Sequence, residues 1–426
     1  MIRTAIQTTG PEPAASENAP REEHIAPAPR VSIQAFCETV ETAGALQAAG
    51  EDRRLARAHL KIQMGGMAAA SEAYRSAPTP NVIILESEGR GEAVLAGLDS
   101  IAEVCDAGTR VIVIGRHNDV VLYRELVGRG ISDYLIAPVS TLDLVRSVCG
   151  LFSAPDAKPV GRVIAVVGAK GGVGASTVAH NVAWAIARDL SLDSVVADLD
   201  LPFGTAGLDY NQDPPQGIAD AVFSPERIDT AFVDRLLSKC SDHLSLLAAP
   251  ATLDRVYDFG ADAFEAIFDS LRATMPCIVL DVPHQWTGWT QRTLLSADEI
   301  LIVAAPDLAN LRNAKNLVDF LKAARANDHR PYYCLNQVGV PKRPEIKPAD
   351  FAKALEDEPV AVIPFEPQTF GAAANNGQMI AEISANHRAA ETFRQLGQLL
   401  TGRAEVKKTR SSLFTPLLEK LRKRQA

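Results

Sequence analysis

Two hydrophobic patterns alternate along most of this chain. Short apolar runs, typical of buried strands, are separated by longer segments with apolar residues at helical spacing. Such alternation predicts an α/β protein whose strands form parallel, doubly wound sheets. Up to residue 151 the pattern predicts strands at 31–36, 59–63, 81–85, 110–114 and 134–136. Beyond residue 161 it predicts strands at 163–167, 194–197, 244–247, 277–280, 299–304, 332–335 and 361–363.

The segments outside these patterns divide the chain into domains. Residues 1–30 are rich in Pro, Ala and Glu without an apolar period, which predicts a disordered leader. Residues 153–161 have the composition of a linker between a first α/β domain at 31–152 and a second at 162–402. Residues 403–426 form a basic tail.

Composition narrows the function classes. The chain is 47% hydrophobic and 22% charged, as globular proteins are, and no apolar run approaches the roughly 18–20 residues that span a bilayer. Its first residues show no apolar signal core, so we expect a cytoplasmic protein. The net charge of −9 argues against DNA as a partner, because non-specific DNA binding depends on Lys and Arg at the phosphates.

A glycine-rich segment at 168–177 carries the clearest chemical signal. It lies between a predicted strand and a predicted helix, where backbone N–H groups and the helix dipole can hold a phosphate. The general phosphate-loop pattern has Gly at the position of Ala169 and Lys at that of Ala175, so one cation is missing and Lys170 is the candidate to replace it. The predicted nucleotide-binding residues are Gly171, Gly172, Val173, Gly174, Ala175, Ser176 and Thr177.

Carboxylates follow two later apolar runs. Asp198 and Asp200 follow one run, and Asp281 ends another. A carboxylate at such a place can orient an attacking water or hold a hydrated metal ion. An aspartate after a strand is also a common turn residue, and Asn336, which ends a later run, can equally cap a turn. Both alternatives stay open.

The sequence KGGVGAST resembles the deviant Walker A loop of the ParA/MinD class of ATPases. The resemblance implies ATP and Mg²⁺ as cofactors and a homodimer that encloses the nucleotide, with Lys170 reaching the phosphates of the partner. Lys170 and Asp200 would be the catalytic residues, Asp200 by orienting water. Ser176, Asp198 and Asp281 would hold Mg²⁺, partly through water.

The same resemblance places Thr177 at the α-phosphate and Asn336 and Pro364 at the adenine base. Because Ala175 replaces a lysine, the expected ATP hydrolysis is weak or slow, and whether the chain is an enzyme stays open.

The first domain resembles a response-regulator receiver that has lost its phosphotransfer residues. Glu86 stands at the position of the phospho-accepting aspartate, and Ala137 at that of the receiver lysine. An unrelated flavodoxin-like domain is the alternative.

A degenerate receiver ahead of a P-loop domain resembles the CpaE/TadZ proteins of Tad (Flp) pilus assembly, over about residues 31 to 400. The resemblance implies a localisation and assembly factor at the cell pole, with the pilus secretion machinery or polar scaffold proteins as partners. The alternative is a DNA-partition or cell-division positioning ATPase of the ParA/MinD class.

The tail is basic and amphipathic, a pattern that suits peripheral contact with the inner membrane. A terminal helix docked on its own domain is the alternative.

Overall fold

The computed structural model describes residues 25–106, 108–153, 160–250, 252–253 and 255–403. They form a sheet of five strands and a sheet of eight strands, each flanked by helices. The predicted class, α/β with two doubly wound parallel-sheet domains, is confirmed. In the described part of the chain, no helix combines the length and apolar character needed to cross a membrane.

The first sheet is parallel throughout and has the strand order β2-β1-β3-β4-β5, which is the order of flavodoxin-like folds. Its strands are β1 (Ser32–Cys37), β2 (His59–Met64), β3 (Val82–Ser87), β4 (Arg110–Gly115) and β5 (Asp133–Ile136). Its helices are α1 (Val40–Gly50), α2 (Gly66–Tyr74), α3 (Glu92–Ala102), α4 (Val120–Gly128) and α5 (Thr141–Gly150).

The second sheet has the order β13-β12-β11-β6-β10-β7-β9-β8, in which only the edge strand β8 is antiparallel. Its strands are β6 (Arg162–Gly168), β7 (Ser194–Asp198), β8 (Ser238–Lys239), β9 (Leu244–Leu247), β10 (Cys277–Val282), β11 (Glu299–Ala304), β12 (Tyr332–Val338) and β13 (Ala361–Pro364).

Eleven described helices accompany the second sheet. They are α6 (Ala175–Leu190), α7 (Ala206–Asp209), α8 (Ile218–Val222), α9 (Thr230–Leu236), α10 (Glu265–Thr274), α11 (Gly288–Ser296), α12 (Leu308–Ala324), α13 (Pro348–Leu355), α14 (Pro367–Asn376), α15 (Ile380–Ile383) and α16 (Arg388–Leu400).

Helices cover both faces of the second sheet, so the central strands of this sheet consist mainly of apolar residues. Every residue of β10 and β11 is buried. One core lies between the sheet and α6 and α16, and the other lies between the sheet and α10, α12 and α13. Parallel strands covered on both sides read as continuous apolar runs, which is why the sequence pattern locates them.

Sheet order determines where the candidate residues meet. Strand β10 lies between β6 and β7, and all three run in the same direction. Their carboxyl ends therefore share one edge of the sheet, where ligands bind in open α/β folds. Gly168 ends β6, while Asp281 of β10 is the register partner of Asp198 of β7.

Buried ion pairs join the two domains at the opposite edge of the second sheet. A short 3₁₀ turn, Arg53–Leu55, presents Arg53 to Asp298 at 2.9 Å and to Asp328 at 2.7 Å. The side chain of Asp298 is 1% exposed and also accepts from the backbone N–H of Val163, at 2.8 Å. The first domain is thus held at the end of the sheet away from the glycine-rich loop.

Glu86, at the carboxyl end of β3, is fully engaged within the first domain. Its Oε2 accepts from the backbone N–H groups of Glu38 and Thr39 at 2.7 and 2.8 Å, and its Oε1 accepts from the hydroxyls of Thr39 and Thr42 at 2.6 and 2.7 Å. Although burial opposes ionisation, these hydrogen bonds hold the pKa of Glu86 below its usual value. Whether the domain is a receiver relative stays a prediction.

Three predicted segments fall wholly or partly outside the described residues. The tail beyond residue 403 and most of the linker lie outside them, so the predictions for those segments stay untested. The predicted leader is corrected at its end: Ala28 is buried against the first domain, and its N–H donates to the carbonyl of Arg54 at 2.8 Å. Sequence composition missed this contact because it depends on the fold of the first domain.

Candidate nucleotide-binding site

The glycine-rich loop connects β6 to α6 at the carboxyl edge of the second sheet. Gly172 and Gly174 adopt φ values of 78° and 81°, in the left-handed region that favours glycine. Gly174 is the residue immediately before α6. The loop therefore curves tightly into a helix N-terminus, which is the geometry that holds an anion.

Side chains from neighbouring elements hold the carbonyl groups of this loop. Because these carbonyls are bound to protein donors, the curved backbone can present its N–H groups to a phosphate. The four contacts are His284 Nδ1 with the carbonyl of Gly168 at 2.9 Å, Asn313 Nδ2 with Ala169 at 2.9 Å, Gln337 Nε2 with Gly172 at 3.0 Å and Asn336 Nδ2 with Val173 at 2.8 Å.

Asn336 lies beside the loop, as the sequence placed it, but its amide is already engaged. Its Nδ2 donates to Val173, and its Oδ1 accepts from the N–H of Gln337 at 2.9 Å. In this structure it supports the loop, and contact with adenine stays a prediction. Pro364 ends β13 and is the register partner of Val338 on β12. Its contact with adenine also stays a prediction.

Two buried carboxylates meet below the loop. Asp198 is 0% exposed and Asp281 is 3% exposed. The two oxygens of Asp198 accept from the N–H groups of Asp200 and Ala206, at 3.1 and 3.0 Å. Burial, together with the negative charge of Asp281, raises the pKa of Asp198 to about 7. A cation beside the two carboxylates offsets their charges, and either the protonated ring of His180 or a bound metal ion can supply it.

His180 of α6 completes this cluster, and sequence reasoning missed it. Its ring is fully buried, and ligand atoms of His180, Asp198 and Asp281 lie within 4.8 Å of one another. Nδ1 is 2.7 Å from Asp209 Oδ2, whereas Nε2 is 3.3 Å from Asp281 Oδ2 without the alignment of a hydrogen bond. Burial opposes protonation, but the contacts with Asp209 and Asp281 raise the pKa of His180 to about 10.

Asp200 presents an unused carboxylate oxygen beside this cluster. Among the described residues, its buried Oδ1 has no hydrogen-bond partner. Burial raises the pKa of Asp200, and the charge of Asp281 adds to the effect. A buried polar atom without a partner costs free energy, so this oxygen is suited to a ligand, a water or a metal-bound water.

The remaining predicted residues lie around the mouth of the site. Ser176 and Thr177 are half-buried in the first turn of α6, and Lys170 is exposed. The pKa of the nearby Asp307 is lowered. Burial opposes this shift, but hydrogen bonds from Asn310 and the positive charge of Lys170 outweigh it. Lys170 therefore lies in the neighbourhood of Asp307, which follows β11.

These features fit a nucleotide with a divalent cation. The loop offers a curved backbone beside a helix N-terminus. It has no room for a side chain at Gly174, because an added Cβ would lie 2.6 Å from Asn336 Nδ2. The oxygen donors of Ser176, Asp198, Asp200 and Asp281 are of the kind that Mg²⁺ prefers, and one of them has a buried oxygen without a partner.

Comparisons with known proteins agree with this geometry. Residues 161–331 match the family model of an AAA domain. The septum site-determining protein MinD of Synechocystis sp. is 28% identical over 163 residues, which cover 38% of this chain and 60% of MinD. The chain spans 55–60% of the length of the curated relatives that it matches first. MinD of Pyrococcus horikoshii, complexed with Mg-ADP, is 20% identical over 56% of this chain and 96% of its own, with a TM-score of 0.50 that shows the shared fold.

The crystal structure of the pilus assembly protein CpaE from Caulobacter crescentus matches the N-terminal region. It is 42% identical and covers 30% of this chain and 98% of its own, with a TM-score of 0.29. The sheet order, the loop and the AAA-domain match define a P-loop protein of the ParA/MinD type. Because the identity is 42% over 98% of that protein's chain, the chain belongs to the CpaE family of pilus assembly proteins.

Proposed function

We propose that this chain binds ATP with Mg²⁺ at the loop between β6 and α6 and dimerises through that face to place the Tad (Flp) pilus secretion machinery. The main support for the nucleotide site is the loop, whose carbonyl groups accept hydrogen bonds from four side chains. Beside it lies a buried carboxylate oxygen of Asp200 that has no hydrogen-bond partner among the described residues. Such a loop is prepared for an anion before the ligand arrives.

Each residue of the site has a role that its position supports. Backbone N–H groups of the loop would hold the phosphates, and Thr177 would contact the α-phosphate. Ser176 and Asp281 would hold the metal ion, while Asp198, which accepts two backbone hydrogen bonds, keeps the turn after β7 in place. When bound, Mg²⁺ would neutralise phosphate charge, and Asp200 would orient the attacking water.

Hydrolysis at this site would be slow. Ala175 occupies the position from which a loop lysine would face the phosphates, and Lys170 lies at the exposed edge of the loop. Lys170 of a second copy of the chain would supply that missing charge to the phosphates. The main effect of ATP binding would then be the association of two copies of the chain, and hydrolysis would reverse that association.

Exposed apolar side chains around the site support the homodimer. Phe203, Leu208 and Leu308 are 71%, 71% and 73% exposed, and all three follow the carboxyl ends of β7 or β11. Exposed apolar residues grouped around a functional site commonly mark a protein interface. A second copy that meets this face would cover them.

Family membership and the arrangement of the two domains support the pilus role. The domain that resembles CpaE is attached at the edge of the second sheet opposite the nucleotide loop, through Arg53, Asp298 and Asp328. A dimer formed through the loop face would leave the first domains at its two far ends. They would be accessible to the pilus secretion machinery or to polar scaffold proteins.

Titration with a fluorescent ATP analogue tests the nucleotide site. We expect binding that Mg²⁺ strengthens, and Asp281→Asn should weaken it by at least about tenfold, or about 1.4 kcal/mol. Asp242→Asn is the control, because the Asp242 side chain is 95% exposed at the far end of the sheet. A wild-type chain that binds no analogue, or an Asp281→Asn variant with unchanged affinity, would contradict the site.

The pilus role needs a test in the cells that encode the chain. Deletion of the gene should abolish surface pili of the Tad type, and complementation with Lys170→Ala should restore neither pili nor a focus of the tagged protein. Normal piliation after deletion, with misplaced division septa instead, would favour a MinD-like role.

A further inference from the structure

The fully buried His180 connects two parts of the site that are separate in the sequence. It lies four residues after Ser176 on α6, and its ring faces the carboxyl ends of β7 and β10. One ring nitrogen is 2.7 Å from Asp209, the last residue of α7, and the other is 3.3 Å from Asp281 of β10. The histidine thus bridges a proposed metal-binding carboxylate and a surface helix.

Helix α7 is joined to the phosphate site by this bridge and by two neighbouring hydrogen bonds. It has four residues, too few for a helix to be stable on its own. Its first N–H, of Ala206, donates to Asp198 at 3.0 Å, and the hydroxyl of Tyr210 donates to the carbonyl of His180 at 2.8 Å. The position of α7 therefore depends on contacts with groups at the phosphate site as well as on its packing against α6 and α14.

The same helix carries a residue of the exposed face. Leu208 belongs to α7 and is 71% exposed, whereas the side chain of Asp209 is 20% exposed and turns inward to His180. A change at Asp281 would alter what His180 contacts. On the α7 side, the His180 ring contacts Asp209 and lies 5.5 Å, centroid to centroid, from the ring of Tyr210, the residue that follows α7. Two side chains, His180 and Asp209, thus connect the buried carboxylates to the surface helix.

We propose that His180 is a positioning residue that transmits occupancy of the phosphate site through Asp209 to α7, and so sets the surface that a second copy of the chain contacts. This inference rests on the proposed function, since it concerns the same site and the same dimer. A purely structural role for the cluster is the weaker explanation, because buried ionic groups contribute little net stability compared with apolar residues of similar size.

The decisive variant is Asp209→Asn, which keeps the size of the side chain and removes its charge. We expect its affinity for a fluorescent ATP analogue with Mg²⁺ to stay within about threefold of wild type, while ATP-dependent association falls by at least about tenfold, as for coupled sites. Asp209→Glu, which keeps the carboxylate, should restore association in part. The control is Asp193→Asn, because Asp193 forms a 2.7 Å contact with the exposed His243 away from the site.

Association is measured by light scattering, and circular dichroism verifies that each variant is folded. An Asp209→Asn chain that binds the analogue and associates like wild type would overturn the inference. Equal losses of binding and association would overturn it as well, because the variant would then have damaged the nucleotide site itself.

Hydrogen exchange without nucleotide tests the bridge independently of the proposed function. In Asp209→Asn, amides of residues 199–210 should exchange at least about tenfold faster than in wild type, because a contact that holds the segment is weakened. Unchanged exchange would overturn the inference. If the wild-type chain bound no ATP analogue, the proposed function would fail while this measurement still decided whether His180 holds α7.

Discussion

Replacement of Gly174 by alanine should damage the loop, whereas the same change at Gly171 should not. Gly174 has a φ of 81°, and a Cβ added there would lie 2.6 Å from Nδ2 of Asn336. That amide nitrogen donates to the carbonyl of Val173, so it must leave its hydrogen bond to make room. Gly171 has no atom within 4 Å of an added Cβ and no positive φ.

The cost at Gly174 has two parts. An alanine in the left-handed region costs about 1–2 kcal/mol. Loss of one buried hydrogen bond adds about 1 kcal/mol. We therefore expect Gly174→Ala to lower the free energy of unfolding of the second domain by about 2–3 kcal/mol, or to lower its melting temperature by about 5–10 °C. Gly171→Ala should change the free energy of unfolding by less than about 0.5 kcal/mol, as surface substitutions do.

Thermal unfolding followed by circular dichroism measures the stability, and titration with a fluorescent ATP analogue measures the function. Gly174→Ala should also weaken binding by at least about tenfold, because the N–H groups that begin α6 follow the displaced backbone. The reasoning is refuted if the two alanine variants are equally stable. It is also refuted if Gly174→Ala binds the analogue as tightly as wild type.

Three further predictions concern other parts of the molecule. Asp298→Ala leaves the buried guanidinium of Arg272 without its 2.7 Å partner and should cost about 3–5 kcal/mol in chemical denaturation, whereas Glu72→Ala, at an exposed ion pair, should cost at most about 1 kcal/mol. Because the pKa of Glu86 is lowered in the folded chain, its charge stabilises the fold at pH values above the ordinary carboxyl pKa. The difference in unfolding free energy between wild type and Glu86→Gln should therefore shrink as the pH falls below about 4.3. A difference that stays constant with pH would contradict this prediction. Ala175→Lys should raise phosphate release by about tenfold or more, since it restores a cation at the phosphates; unchanged release would mean that Ala175 does not limit turnover.

Local sequence signals located the sheet but not its antiparallel edge. Strands β10 and β11 are buried on both faces, so continuous apolar runs identify them. Strand β8 has two residues, Ser238 and Lys239, and exists because it pairs with β9. No apolar pattern marks so short an edge strand, since its pairing depends on the turn that brings it back to β9.

The glycine-rich loop was predictable because its residues are consecutive, whereas the side chains that hold it were not. Asn313 reaches Ala169 across 144 residues of chain, and His284 reaches Gly168 across 116. Only the sheet order brings such residues together. One local feature of the sequence indicates His180: it is a titratable residue within the apolar face of α6, four residues after Ser176.

The most direct test of the central claim measures mass and turnover together. Purified chain is examined by light scattering with ATP and Mg²⁺ while released phosphate is assayed, alongside Lys170→Ala and the control Lys239→Ala, at an exposed lysine on the edge strand β8. We predict that ATP doubles the mass of the wild type and of the control with little phosphate release, and that Lys170→Ala stays monomeric. A mass that ATP does not change, or a Lys170→Ala variant that dimerises like wild type, would contradict the account.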